Sequence, residues 1–216
     1  MSGIIETFLI FIVLSNLLLL GSSRIGVYIK VVALQGILLA AMLFMAHPGE
    51  RHFHIVLLAL VTMFLKGAVF PRLLFQAIRQ AGVRREIEPF VGFNLSLLIG
   101  IAGWGFALWT GGRLPLPESL GTDLTVPTAM FTIFVGMFLI IARRNAITQV
   151  LGYLVMENGI YIFGAAVAGS QPFLVEMGML LDIFVAVFVM VITLFQINRE
   201  IGEIGMDTSR LATLRD

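Results

Sequence analysis

Long apolar stretches follow one another along this chain, each close to the length of about 20 residues that crosses a bilayer as a helix. Read on that scale they are Ile4–Gly21, Ile25–Ala46, His52–Ile78, Pro89–Trp109, Leu124–Ala142, Ala146–Ala168 and Pro172–Asn198. Turn-forming clusters separate them: Gly21-Ser22-Ser23, His47-Pro48-Gly49, Gly111-Gly112 and Gly169-Ser170. The longest connection, 110–123, contains Pro115 and Pro117 and reads as an extended surface loop. The expected fold class is all-α, a polytopic membrane protein with seven transmembrane helices. The first run, from Ile4, has neither the basic flank nor the small-residue cleavage site of a secretory signal and is expected to remain as a helix.

Basic residues alternate between the connections. Arg24 lies after the first stretch, Arg79, Arg84 and Arg85 after the third, Arg143 and Arg144 after the fifth, and Arg199, Arg210 and Arg215 after the seventh. The intervening connections carry Arg51 and Arg113. Lys and Arg accumulate on the cytoplasmic side, so the amino terminus is expected outside and the tail inside. The chain also reads as duplicated. A displacement of about 120 places Arg24 on Arg144, Phe53 on Phe173, Phe64 on Phe184, and Leu74-Phe75-Gln76 on Leu194-Phe195-Gln196. Residues 1–88 would then be a three-helix unit, 89–123 a bridging helix with its outer loop, 124–198 a second three-helix unit, and 199–216 a cytoplasmic tail.

Composition narrows the function. Hydrophobic residues make up 59% and charged residues 12%, half the roughly 25% of a soluble domain, so a polar shell cannot be built. Mean hydropathy is +1.01. The net charge of +1 supplies no excess to bind nucleic acid. Cysteine is absent, which removes disulfides, thiolate metal sites and Cys-ligated clusters. Any redox chemistry this chain serves is expected to run elsewhere.

An ionisable group in mid-bilayer is expensive and is therefore a functional candidate. Lys66, Glu157, Glu176 and Asp182 stand out. At about 1.5 Å per residue, Glu157 lies roughly 20 Å beyond Arg144 and Asp182 roughly 25 Å from Arg199, which puts both acids at similar depth. Glu176 is about two turns nearer the outer surface. Asn158 and Gly159 give Glu157 hydrogen-bonding capacity and room for water. Desolvated carboxylates can load and release protons near neutral pH, and carboxylate–lysine–water chains form proton relays. The plainer alternative is a structural lock, Lys66 paired with Asp182 or Glu157, that fixes register. Gln35 reads as an interhelical hydrogen-bonding group and Lys30 as a snorkelling charge. Pro71, before Arg72, should kink the third helix and free a carbonyl. His47, His52 and His54 read as interface residues rather than a metal site. Trp104, Trp109 and the stretch Gly100–Gly105 read as an interfacial anchor and a close-packing face.

Several blocks carry a family resemblance. Arg143-Arg144-Asn145 followed by Gly152-Tyr153-Leu154-Val155-Met156-Glu157-Asn158-Gly159 is similar to component E of hydrogenase-4-type complexes. So are Leu174-Val175-Glu176-Met177-Gly178 leading to Asp182, the Lys66 to Pro71 span, and Leu211-Ala212-Thr213-Leu214. The last three stretches resemble the small K-type subunit of complex I and the C-type subunit of cation/proton antiporters. In the K-type pattern the two functional glutamates would fall at Leu154 and near Ala186; here the acids stand at Glu157 and Asp182, both about one turn towards the outer side. The resemblance implies a non-catalytic membrane subunit of a group 4 nickel–iron hydrogenase or formate hydrogenlyase-like assembly. Nickel–iron and iron–sulfur centres would sit in partner subunits, and antiporter-like large subunits and a membrane anchor would be neighbours in the bilayer. Glu157, Asp182, Glu176 and Lys66 would form a proton path, supported by Asn158 and Gln35. The rivals are a purely structural linker and a subunit of a cation/proton antiporter without a redox partner.

Overall fold

The computed structural model describes residues 2–46, 60–61, 63–81, 89–113 and 122–168. Its elements are helical: α1 (Ser2–Gly21), α2 (Ile25–Ala46), a π-helical segment (Leu65–Val69) that runs directly into α3 (Phe70–Ala81), α4 (Phe93–Gly111), α5 (Thr125–Ala142) and α6 (Ala146–Ala168). Four of them, α1, α2, α4 and α5, are long and apolar enough to cross a membrane. α6 has 23 residues and also carries Glu157 and Asn158. The outer part of the expected third stretch, with Arg51, His52 and His54, lies outside the described residues. So do the whole seventh stretch, with Glu176 and Asp182, and the tail.

Local chemistry sets the helix ends. α1 and α2 are joined by a tight turn in which the Tyr28 hydroxyl donates to the carbonyl of Ser22 at 3.1 Å. At the α5–α6 junction Arg143 is extended, with φ −106° and ψ 141°, and breaks the helix. The Asn145 side chain then accepts the Ile147 N–H at 2.9 Å, an N-cap for α6. The expected bridging helix starts at Phe93 rather than Pro89. Gly92 is extended, and the residues before it are drawn onto the end of α5, where Phe90 N–H donates to the carbonyl of Ala142 at 3.0 Å.

The expected kink at Pro71 takes a different form. Proline has no N–H for the carbonyl of Gly67, and its ring crowds that carbonyl. The turn before it widens into a π turn, in which Phe70 N–H donates to the carbonyl of Leu65. A π turn re-pairs backbone groups that an α turn would leave open.

α5 and α6 form the closest pair. A Cβ on Gly136 would press on the backbone of Met156, with Cα 2.6 Å away, and one on Gly159 would lie 2.6 Å from the Ile133 nitrogen. Glycine at these positions lets the two backbones touch, the way small residues pack helices in lipid. α1 packs on α5, α2 on α6, α3 on α2, and α4 on α1 and α5. Trp104 packs on Phe131, ring centroids 5.3 Å apart, and lies half-buried against the core. Trp109 is exposed and stacks under Arg113 at 4.2 Å.

Arg143 closes one end of the bundle. It is fully buried, and its guanidinium donates from Nη2 to the carbonyl of Leu20 at 3.0 Å and from Nη1 to that of Val91 at 3.2 Å. The Leu20 carbonyl is among the last four of α1, which no intrahelical donor reaches. Arg24, Arg143 and Arg144 thus lie at one end of the helices, the end at which α3 finishes with Arg79.

Candidate functional site

Lys66 sits on the π segment, aimed across the bundle. Its aliphatic stem occupies the notch left by a missing side chain: a Cβ on Gly36 would be 2.6 Å from Lys66 Cβ and 3.1 Å from its Cδ. Its ammonium forms an ion pair with Glu157, Nζ to Oε1 3.0 Å, and donates to Asn158 Oδ1 at 3.0 Å. The Tyr161 ring centroid lies 5.9 Å from Nζ. Lys66 is 7% exposed and Glu157 3%. Thirteen residues separate Lys66 from Arg79 and Glu157 from Arg144, so each stands roughly 20 Å from the basic end, by the rise of an α-helix. Both charges are therefore deep in the apolar zone, where neither is affordable without the other.

From Asn158 the polar contacts continue sideways through the bundle. Asn158 Nδ2 donates to Gln35 Oε1 at 3.5 Å on α2. Gln35 Nε2 donates to Asn16 Oδ1 at 2.9 Å and to Ser15 Oγ at 2.6 Å on α1. Asn16 Nδ2 donates to Thr132 Oγ1 at 2.9 Å on α5, and the Thr132 hydroxyl donates to the carbonyl of Thr128 at 2.7 Å. Gln35, Asn16 and Thr132 are fully buried and Asn158 nearly so. One connected set of polar groups thus links the π segment, α6, α2, α1 and α5 at mid-height.

A small cavity adjoins the ion pair on the side of the basic end. Lys66 and Asn158 form its polar wall, and Ile29, Val32, Phe70 and Leu154 are among its apolar lining. Its volume of about 10 Å³ is near the minimum for one water molecule. Leu154, where the K-type pattern would have a glutamate, faces this space.

Of the residues singled out from the sequence, Lys66, Glu157, Asn158 and Gln35 come together. Glu176 and Asp182 lie outside the described residues. Lys30 and Arg72 are exposed and take no part in the polar set. Asn16, Ser15 and Thr132 were missed. Asn16 carried a signal, an amide inside the apolar run of α1, whereas a threonine in such a run is too common to notice. Among the described residues no three His, Asp or Glu side chains converge to hold a metal.

Residues 124–213 match the family of NADH-ubiquinone/plastoquinone oxidoreductase chain 4L. This segment of the chain is similar to chain 4L. It contains Thr132, Glu157 and Asn158, whereas Lys66, Gln35 and Asn16 precede it, so the ion pair joins the chain 4L-like segment to the part of the chain before it. The chain is 35% identical over 103 residues to hydrogenase-4 component E of Escherichia coli (strain K12), covering 48% of this chain and 46% of that protein. The same protein of Shigella flexneri matches to the same extent. An uncharacterized protein of Mycobacterium tuberculosis is 28% identical over 208 residues, 95% of this chain and 93% of that one. No solved structure matches the chain.

Proposed function

We propose that this chain is a non-catalytic membrane subunit of a hydrogenase-like, complex I-related assembly, and that the Lys66–Glu157 pair is a station on its proton path. The observation that carries the reading is the buried ion pair itself, held on a π turn, with one member inside the chain 4L-like segment. An acid and a base 3.0 Å apart can exchange a proton directly, and the adjoining cavity offers a water position on one side. Asp182 and Glu176 extend the path on the seventh span. The chain crosses the inner membrane seven times, amino terminus outside and carboxyl terminus in the cytoplasm; the gathering of Arg24, Arg143 and Arg144 at one end supports that orientation. Residues 1–88 and 124–198 are related units bridged by 89–123. In support, Gly21 and Ala142 end the first helix of each unit, and Ile25 and Ala146 begin the second. Partner subunits carry the nickel–iron and iron–sulfur centres, and antiporter-like subunits and a membrane anchor flank the chain.

The scaffold reading has its own support: a polar set that ties five helical elements together is also what a structural lock requires. Glu157→Gln and Asp182→Asn separate the two. Both keep shape and hydrogen-bonding groups and remove the titrating oxygen. With a relay, the assembled complex keeps its electron transfer while proton translocation in vesicles falls, and the double variant costs little more than the worse single one. With a scaffold, any loss follows the amount of subunit left in the membrane. Full pumping by an assembled double variant overturns the relay.

A further inference from the structure

The hydrogen bonds of the polar set all run one way. Starting from Lys66, which can only donate as an ammonium, each carboxamide receives on its oxygen and donates from its nitrogen to the next: Asn158 to Gln35, Gln35 to Asn16, Asn16 to Thr132. The far end is fixed as well, because the Thr132 hydroxyl gives its proton to the Thr128 carbonyl and so can only accept from Asn16. Ser15 makes the same point beside the chain. Its proton goes to the Ile12 carbonyl at 2.7 Å, so toward Gln35 it is an acceptor. A single amide turned around would set two oxygens or two NH₂ groups against each other in a buried site. The three amides can therefore reverse only together, and only if Thr132 turns its hydroxyl toward Asn16 and Ser15 turns its own toward Gln35.

We propose that Gln35, Asn16 and Thr132 are positioning residues for the Lys66–Glu157 pair: a one-way amide chain, anchored on α5, that presents a carbonyl to the Lys66 ammonium and reverses when that ammonium passes its proton to Glu157. The transfer moves one proton from Nζ to Oε1 and leaves a carboxylic acid and an amine whose one lone pair faces that proton; once the acid O–H turns away and the amine rotates about its Cε–Nζ bond, an N–H faces Glu157 and the lone pair accepts from Asn158 Nδ2. Reversal releases the Thr128 carbonyl, and with it that of Ile12, so the protonation state of Lys66 is read out on the backbones of α5 and α1. Threonine hydroxyls bonded to the carbonyl four residues back bend helices, which gives that readout a mechanical form. The assignment deepens the relay reading and rests on it for its purpose, but its geometry is tested separately.

The sequence contains two lysines, Lys30 and Lys66, so a Lys30→Arg background leaves one lysine side-chain nitrogen. Solid-state NMR of the full chain in bilayers, grown with side-chain ¹⁵N-lysine, then reports Lys66 alone. Thr132→Val removes both functions of the distal hydroxyl without touching Lys66, and Thr132→Ser restores them. The expected result is a shifted or doubled Lys66 resonance in Thr132→Val, the same in Gln35→Leu, and the parental resonance in Thr132→Ser. An unmoved resonance in both Thr132→Val and Gln35→Leu, with helicity and melting unchanged, overturns the proposal. Loss of folding in Thr132→Val leaves Gln35→Glu as the deciding variant: a carboxylate in the chain cannot donate to Asn16, and an unmoved Lys66 resonance there overturns it equally. Because this signal does not depend on pumping, a chain that responds beside a complex that pumps normally without Glu157 would dismiss the relay and keep the amide chain.

Discussion

α4 and α5 are almost the same length, 19 and 18 residues, and both are apolar enough to cross a membrane, yet they are used in opposite ways. In α5 56% of the span is buried against other helices; in α4 it is 17%. α4 leaves Leu98, Ile101, Phe106 and Trp109 exposed and touches the bundle through Gly100, Gly103 and Trp104. α5 buries Thr125, Thr128, Thr132 and Gly136. Apolarity does not select which helix goes inside, because lipid solvates a leucine as well as another helix does. Small residues that let backbones meet, and polar groups that need partners, make that selection.

The largest expected effect tests the polar side of this contrast. Lys66→Met leaves Glu157 buried without its cation and should destabilise the protein by about 3–5 kcal/mol, the usual cost of removing one member of a buried pair. Adding Glu157→Leu should restore most of that loss. Denaturation of the purified chain in mixed micelles measures both. If the double variant is no more stable than the single, the pair is not a mutual one.

Arg143 and Arg144 sharpen the comparison at the point where α4 is tied to the end of α5. Arg143→Met removes charged hydrogen bonds to Leu20 and Val91 and should cost about 1.5–3 kcal/mol. Arg144 is exposed against Phe90, and Arg144→Met should stay within about 0.5 kcal/mol. The same melts rank the two, and equal effects would mean that burial of Arg143 contributes nothing.

Glycines give the finest test. Gly136→Ala places a methyl group against the Met156 backbone and should cost about 1–3 kcal/mol by overpacking. Gly105, on α4, has no neighbour within 4 Å of a Cβ, so Gly105→Ala should be neutral or slightly stabilising. A loss at Gly105 as large as at Gly136 would show that the exposed face of α4 is itself a packed interface in the assembled protein.

Much of this molecule was decided within single segments. Apolar runs of membrane length must become helices, because lipid leaves backbone groups no partner but their own chain, and the turns at Gly21-Ser22-Ser23 and at Asn145 end them. α1, α2, α5 and α6 accordingly fall within a few residues of where the runs place them. Lys66, Glu157, Gln35 and Asn158 were also visible as polar groups in apolar surroundings, where each needs a reason to exist. The partners were not visible. Whether Lys66 pairs with Glu157 or another acid, why Asn16 meets Thr132 across 116 positions, and why Arg143 is buried while its neighbour Arg144 is exposed depend on how helices cross and rotate. Pro71 could only be read as a disturbance; that the turn before it opens into a π turn, with the Lys66 stem seated against Gly36, is visible only in the fold. Segment-level forces act over one or two helical turns and are written in local composition. Pairing is set by contacts between residues distant in sequence, at points where missing side chains let backbones approach, and only the folded bundle brings those points together.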